Sequence, residues 1–243
     1  MTERQRADLL LVARGLFDSR AQARAAIEAG MVSANGRKIG KPSELLAPDA
    51  AVIAAAAHPW ASRGGVKLDG ALARYPLPVA GHACLDVGAS TGGFTDVLLA
   101  HGARHVDAVD VGHSQMHERL RSDPRVRVLE HTDIRKLAPD NLSERPDIVV
   151  IDVSFISLKH VLPAALGCAA RPTFLLALIK PQFEAERRHL KKGIVRDAAV
   201  HDQVCRDIVA LAQALGCGEI EVFSSSITGG DGNREFFLGA RRD

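Results

Sequence analysis

The stretch from His82 to Thr95, HACLDVGASTGGFT, limits what this chain can fold into more than any other. HACLDV reads as a short buried strand, Gly88 and Gly92-Gly93 as a turn, and Phe94 to Leu99 as the start of a helix. A strand passing through such a turn into a helix belongs to layered α/β folds, because the turn brings the helix back over the sheet. The N-terminus of that helix exposes unpaired N–H groups and a partial positive charge, and the glycines let a polar ligand approach the backbone closely. The turn is therefore either a nucleotide-type ligand site or a glycine-rich turn that binds nothing. A dinucleotide fingerprint requires G-x-G-x-x-G after the strand. From Gly88 the order is G-A-S-T-G-G, with Ser90 in the second glycine's place, which disfavours pyrophosphate.

From residue 82 onward, apolar runs alternate with helical patterns. Strands are expected at HACLDV, HVDAVD, RVRVLE, DIVVIDV, TFLLALI, EIEVFS and REFFLGA, with helices near 92–101, 113–121, 156–166 and 198–215. Strands that are apolar on both faces fit an α/β, Rossmann-like, doubly wound and mostly parallel sheet. The last two strands lack a helix between them and are expected to pair antiparallel. Ligands in such sheets lie outside the carboxyl ends of the strands, where Asp86, Asp110, Asp133, Asp152 and Lys180 fall. Asp86 ending the first strand, the glycines after it, and Asp110 ending the next apolar run are similar to the arrangement in S-adenosylmethionine-dependent methyltransferases. In that reading Asp110 accepts both ribose hydroxyls, and Asp86 with the turn amides suits a zwitterionic amino-acid tail. Gly88, Ala89, Ser90, Thr91, Gly92, Gly93, Phe94, Val111, Asp133 and Ile134 complete the expected cofactor-binding set.

Composition bounds the rest. With 243 residues and 47% hydrophobic residues, the chain can bury a full core as one large domain or as a small and a medium one. A formal charge of only +2 gives no global polycation argument, so any nucleic-acid site must rest on local clusters. Cys84, Cys168, Cys205 and Cys217 are widely spaced, without C-x-x-C or a histidine at ligand spacing, so neither a disulfide framework nor a metal site is expected. MTERQRADLLLVARG does not read as a signal peptide, and no apolar run approaches the ~20 residues that span a bilayer. A cytoplasmic protein without a membrane partner is expected.

Residues 1–57 form a pattern of their own. ADLLLVAR reads as a helix closed by Gly15, and RAQARAAIEA as a second, capped by Asp18 or Ser19 and closed by Gly30. Asn35-Gly36 between two β-prone runs signals a hairpin. Arg20 and Arg24 share a helix face and Arg37 and Lys38 leave the hairpin turn, so four cations could lie on one surface suited to phosphates. Eight Lys or Arg against six Asp or Glu in the first 60 residues leaves an ordinary solvated face equally open. SRAQARAAIEAGMVSANGRKI resembles the S4 RNA-binding domain, implying a small N-terminal α+β S4-like module that seats a cationic surface on structured RNA.

A linker is expected at 58–65, where Pro59 biases His58 away from helix and Gly64-Gly65 loosen the chain. Trp60 reads as an interdomain packing residue or an RNA-stacking one. Val66 to Arg74 reads as a helix with Lys67 in its first turn, an unfavourable position for a cation facing the helix dipole. The remaining 66–243 is the expected methyltransferase domain.

Asp152 ends the fourth strand, Lys180 the fifth, Glu235 begins the last, and Lys67 comes from the helix before the first. Together they resemble the catalytic quartet of FtsJ-like ribose 2′-O-methyltransferases. A ribose hydroxyl has a high pKa, so transfer to it gains from a base and from groups that orient it. Lys180 is the expected base, with a neighbouring cation and partial burial favouring its neutral form, and Asp152 and Glu235 hold the two ammonium groups. The alternative is a structural ion pair at the strand ends. EAERRHLKKGIVRD, residues 184–197, adds Arg187, Arg188, Lys191 and Lys192 beside the expected base, a loop suited to a phosphate backbone or to solvent.

With SRAQAR, SRGGVKL, DVGASTGGFTD, VVIDVSFIS, LIKPQFE and GGDGNREFF in this order, nearly the whole chain resembles the TlyA family, ribosomal-RNA 2′-O-methyltransferases also labelled hemolysin A. The resemblance implies methylation of cytidine 2′-hydroxyls in ribosomal subunits with S-adenosyl-L-methionine as donor. It also implies an RNA-binding set of Arg14, Arg20, Arg24, Arg37, Lys38, Arg63, Arg187, Arg188, Lys191 and Lys192. Relatives often carry an arginine two residues before the linker tryptophan, where this chain has His58, and a valine after it, where this chain has Ala61. That difference leaves linker-mediated coupling open. The chain ends at ARRD soon after the last strand, and the shorter form in this family implies modification of the large-subunit RNA. Two other readings stand beside this one: a ribosome assembly factor that binds RNA without turnover, and a membrane-lysing hemolysin.

Overall fold

The computed structural model describes residues 4–229 and 231–243. The chain divides into two compact units, Met1–Pro59 and Trp60–Asp243.

In the first unit, β1 (Gln5–Arg6) leads into α1 (Ala7–Ala13) and α2 (Arg20–Glu28), followed by β2 (Val32–Ala34), β3 (Arg37–Lys38), β4 (Leu45–Leu46) and β5 (Val52–Ala54). β2 lies between β3 and β5, antiparallel to both, and β1 pairs with β4. Ser19 is the α2 N-cap, its side chain accepting from the Gln22 N–H at 3.3 Å, and β2 and β3 flank the Asn35-Gly36 turn. β1, β4 and β5 are too short to leave a periodic signal in the sequence. Leu10 and Leu11 of α1, Ala23, Ala26 and Ile27 of α2, and Val32 and Ile39 of the hairpin make the core. Asp8 ties the helices: its buried carboxylate accepts from Arg6 Nε and from Arg20 Nη2, each at 3.0 Å. The Arg6 guanidinium beside it, then Arg20, holds this carboxyl down at about 2.

The second unit opens with α3 (Arg63–Arg74). It continues through β6 (Ala83–Val87), α4 (Gly93–Ala100), β7 (His105–Val109), α5 (Glu118–Arg121), β8 (Val126–Leu129), β9 (Ile148–Ile151), α6 (Leu158–Cys168) and β10 (Thr173–Ile179). After these come α7 (Pro181–Glu184), a small hairpin of β11 (Leu190–Lys191) and β12 (Ile194–Val195), α8 (Ala198–Ala214), β13 (Gly218–Ser224) and β14 (Phe236–Arg242). The strands form one seven-stranded sheet in the order β13-β14-β10-β9-β6-β7-β8. β10, β9, β6, β7 and β8 run parallel, while β14 is antiparallel to both β10 and β13.

Side chains alternate between two cores, which explains the unbroken apolar runs. Leu85, Val149, Leu175 and Ala177 face α6 and α8, whereas Cys84, Ile148, Val150 and Leu176 face α3 and α4. From β6 the chain moves outward through β7 and β8 and returns to β9 on the other side of β6. That reversal opens a crevice at the carboxyl end of β6, the ligand position of doubly wound sheets.

Two expectations need correction. The helix expected at 113–121 is confined to Glu118–Arg121, because the preceding residues turn back on Asp110, whose Oδ1 accepts the Gly112 N–H at 2.7 Å. α3 starts at Arg63, inside the expected 58–65 linker, because Ser62 supplies an N-cap that accepts the Gly64 N–H at 3.3 Å. Lys67 therefore stands in the second turn, clear of the unfavourable end of the helix dipole.

Candidate active site

The glycine turn closes over the end of β6. Gly88 has φ +87°, and a Cβ there would lie 2.4 Å from the Asp152 carbonyl oxygen, so only glycine lets β6 and β9 finish side by side. The Gly88 N–H donates to Val109 O at 2.8 Å, joining the turn to β7. Asp110 organises the next loop: its Oδ2 accepts the Ser90 N–H at 2.8 Å while its Oδ1 holds Gly112. Each oxygen keeps a further lone pair for a ligand hydroxyl.

Asp86 does not reach the ligand side, which corrects its expected contact with an amino-acid tail. Alternation along central β6 turns it into the α4 face, where it is fully buried and its Oδ2 accepts from Thr95 Oγ1 at 2.7 Å. Burial pushes this carboxyl up to about 7, with nearby Asp152 and Asp110 adding to the rise and the Thr95 hydroxyl opposing it. Gly92 is the N-cap of α4 and faces Leu120 and Met116 rather than a cleft.

The four residues expected to act together meet as two ion pairs, one buried and one with a half-buried carboxylate at Asp152. Lys67 Nζ lies 2.7 Å from Glu235 Oε2, and Lys180 Nζ lies 2.6 Å from Asp152 Oδ1 and 2.8 Å from Ser154 Oγ. Lys67, Lys180 and Glu235 are each no more than 9% exposed. Lys67, Asp152 and Lys180 line a pocket of about 270 Å³ together with Gly88, Ala89, Ser90, Thr91, Gly93 and Phe94, and Glu235 stands behind Lys67. A second cleft of about 770 Å³ shares Gly88, Ser90, Asp152 and Ser154 with it and continues past Asp110, Val111, Asp133, Ile134 and Phe155. Arg135 holds the Asp133 carboxyl down at about 2.

Ser62, Ser154 and Thr228 in the smaller pocket, and Gly112, Gln115, Thr132, Phe155 and Ile156 in the larger, are lining residues that sequence reasoning missed. Ser154 and Phe155 come just after Asp152 and Val153, so the strand-end rule that singled out Asp152 reaches them if extended into the loop. Phe155 is 91% exposed at φ +64°, a left-handed conformation that is costly for a bulky residue, with its ring tilted against Phe183 at 5.1 Å. Glu184 fixes this loop: its carboxylate accepts from Ser157 Oγ at 2.5 Å and from the Leu158 N–H at 2.7 Å, and burial raises its pKa.

The expected RNA-binding cations differ in what they already hold. Arg14 is exposed and donates to the carbonyls of Ala50, at 2.6 Å, and Pro48, so its guanidinium pins a loop. Arg20 is bound to Asp8, Arg24 to Glu28 at 3.9 Å and Arg37 to Glu44, while Lys38 is exposed. Arg63 lines the smaller pocket and donates to Thr228 O at 3.1 Å. Arg187, Arg188, Lys191 and Lys192 are all exposed, Arg188 pairing with Glu186. Trp60 packs against the core beside α3, where its Cβ occupies the space a Gly65 side chain would need. Among the described residues no group of three or more His, Cys, Asp or Glu could hold a metal ion, and no helix is long and apolar enough to cross a membrane.

Residues 60–242 match the FtsJ-like methyltransferase family and residues 5–52 the S4 domain. The chain is 45% identical over 99% of its length to the Mycobacterium tuberculosis 16S/23S rRNA (cytidine-2′-O)-methyltransferase TlyA, covering 91% of that protein. It is 36% identical over 95% of its length to hemolysin A of Brachyspira hyodysenteriae, covering 97% of it. Among solved structures, a Streptococcus thermophilus protein described as a candidate hemolysin superposes over all of this chain and 90% of its own, with TM-score 0.79 and 39% identity. With both of its units matched and relatives of this kind aligned from end to end, the chain belongs to the TlyA family of S4-containing, FtsJ-like methyltransferases.

Proposed function

We propose that this protein transfers the methyl group of S-adenosylmethionine to a cytidine 2′-hydroxyl of ribosomal RNA, acting in the cytoplasm on ribosomal subunits. The observation that carries this reading is the two ion pairs, Lys67–Glu235 and Lys180–Asp152, beside the pocket lined by the glycine turn. The larger cleft fits the donor: the Gly88 turn lines it, Asp110 has lone pairs for ribose hydroxyls, and Val111 and Ile134 offer an apolar wall. When bound there, S-adenosylmethionine supplies an electrophilic methyl on its sulfonium.

The chain's own residues prepare the acceptor. After giving one proton to solvent, Lys180 accepts the hydroxyl's proton on Nζ, and this restores the ammonium held between Asp152 and Ser154. Lys67, anchored by Glu235, donates to the same ribose oxygen and orients it toward the donor. The exposed Phe155 ring at the mouth offers a stacking surface for a nucleobase. Lys180→Ala is expected to lower the transfer rate at least about a hundredfold while S-adenosylmethionine affinity, measured by calorimetry, stays within about threefold. A mutant of near-normal rate would remove Lys180 from the base role. The relative from M. tuberculosis carries both 16S and 23S in its name, so small and large subunits are both assayed, with the large subunit the preferred substrate.

A further inference from the structure

We infer that Asn233 is a positioning residue: its side chain fixes the register of the basic hairpin β11–β12 against the segment that carries Glu235, and so sets where a bound RNA backbone lies relative to the ion-pair quartet. This rests on the RNA-methylation reading above.

The hairpin cannot hold its own place. It has only two residue pairs, Leu190 with Val195 and Lys191 with Ile194, and isolated two-stranded ribbons are marginal in water. Its turn, Lys192 at φ +53° and Gly193 at φ +78°, has the left-handed pair of a type I′ hairpin, which pushes Lys191 and Lys192 outward into solvent. Asn233, 2% exposed, supplies the missing partner. Its Oδ1 accepts the Val195 N–H at 3.1 Å and its Nδ2 donates to Gly193 O at 3.1 Å, so one side-chain amide imitates a third strand. The amide's orientation follows from its partners, since a backbone N–H needs an acceptor and a carbonyl a donor. His201 Nε2, 3.0 Å from Val195 O, gives β12 a second anchor.

On its opposite side Asn233 belongs to the catalytic segment. Its carbonyl accepts the Gly229 N–H at 2.9 Å, and two residues later Glu235 holds Lys67. A buried amide costs free energy unless both of its ends are bonded, and here both are spent on the hairpin. Alanine would release both contacts. Aspartate keeps the acceptor but loses the donor.

The test compares wild type, Asn233→Ala and Asn233→Asp in three measurements: methyl transfer to purified ribosomal subunits, calorimetric binding of S-adenosylmethionine, and amide hydrogen exchange. Asn233→Ala is expected to raise KM for the subunit about tenfold with S-adenosylmethionine affinity within about twofold. Exchange at Lys191–Val195 should speed up while β6 and β9 keep their protection, with Asn233→Asp intermediate. Faster hairpin exchange with an unchanged KM would overturn the inference, as would loss of protection throughout the unit, which marks a purely structural residue. If the wild type transfers no methyl, the underlying reading fails instead. Subunit affinity by filter binding then replaces KM, and equal affinity of wild type and Asn233→Ala would overturn the inference separately.

Discussion

Burial of a carboxyl beneath the glycine turn has a measurable consequence at Asp86. Its pKa is raised to about 7 in the folded protein, chiefly by burial, against about 4 in an unfolded chain. The folded state therefore holds the proton more tightly, and the stabilisation this gives is full below pH ~4 and is lost as pH rises through ~7. Asp86→Asn keeps the shape without the charge. It is expected to be more stable than wild type at pH 8 by on the order of 2 kcal/mol and equally stable near pH 4. Thermal melts of both proteins across pH 4–8 check this, and parallel curves would contradict it. Asp86 also marks what residue type could not convey. Its place at a strand end was legible, but the face it occupies depends on alternation along β6, and that face is the α4 side. Asp152 and Lys180 were legible as charged residues ending apolar runs, where a charge is costly, whereas Lys67 and Glu235 joined them through the resemblance to the FtsJ-like quartet. Ser154 was not legible, since a serine after a strand is ordinary, and neither were the contacts of Arg14, because a sequence does not reveal which carbonyls a guanidinium meets.

Among the elements, the β6–α4 junction bears most on ligand binding. In Gly88→Ala the new Cβ would lie 2.4 Å from Asp152 O at a φ of +87°, so β6 and β9 must separate at their ends. That variant is expected to lose on the order of 2–4 kcal/mol of stability and at least about tenfold in S-adenosylmethionine affinity, both read by melts and calorimetry. Unchanged binding would show that the turn does not cradle the donor. The central strands were legible because burial on both faces leaves continuous apolar runs, and the partly buried edge strands β8 and β13 as short runs of valine and isoleucine between charges. The β11–β12 hairpin was not: its turn sits inside RRHLKKGIVR, where the charges obscure a two-residue pairing made only by contact with Asn233 and His201. The start of α3 was missed for a related reason, as Gly64-Gly65 suggest a flexible link unless the cap from Ser62 is counted.

For the whole molecule, recognition of RNA has to come from local surfaces, because the net charge is only +2. The cations differ in kind. Arg20, Arg24 and Arg37 already face carboxylates, whereas Lys191 and Lys192 stand exposed on the hairpin. Replacing Lys191 and Lys192 together by Ala is expected to reduce the salt slope of subunit binding by roughly 1.5, about what two lost phosphate contacts remove, with S-adenosylmethionine affinity unchanged. An unaltered slope would move the phosphate contacts elsewhere. The expected break rests on the alanine-rich run before His58-Pro59, and the two compact units meet in sequence after Pro59. The central claim is methyl transfer to ribose. Its most direct measurement is incubation of separate small and large ribosomal subunits with labelled S-adenosylmethionine, followed by mapping of alkali-resistant phosphodiesters. The expected result is label on a cytidine ribose, the large subunit being the better substrate, and none with Lys180→Ala. Binding of the subunits without label in either would contradict the claim and identify an RNA-binding assembly factor instead.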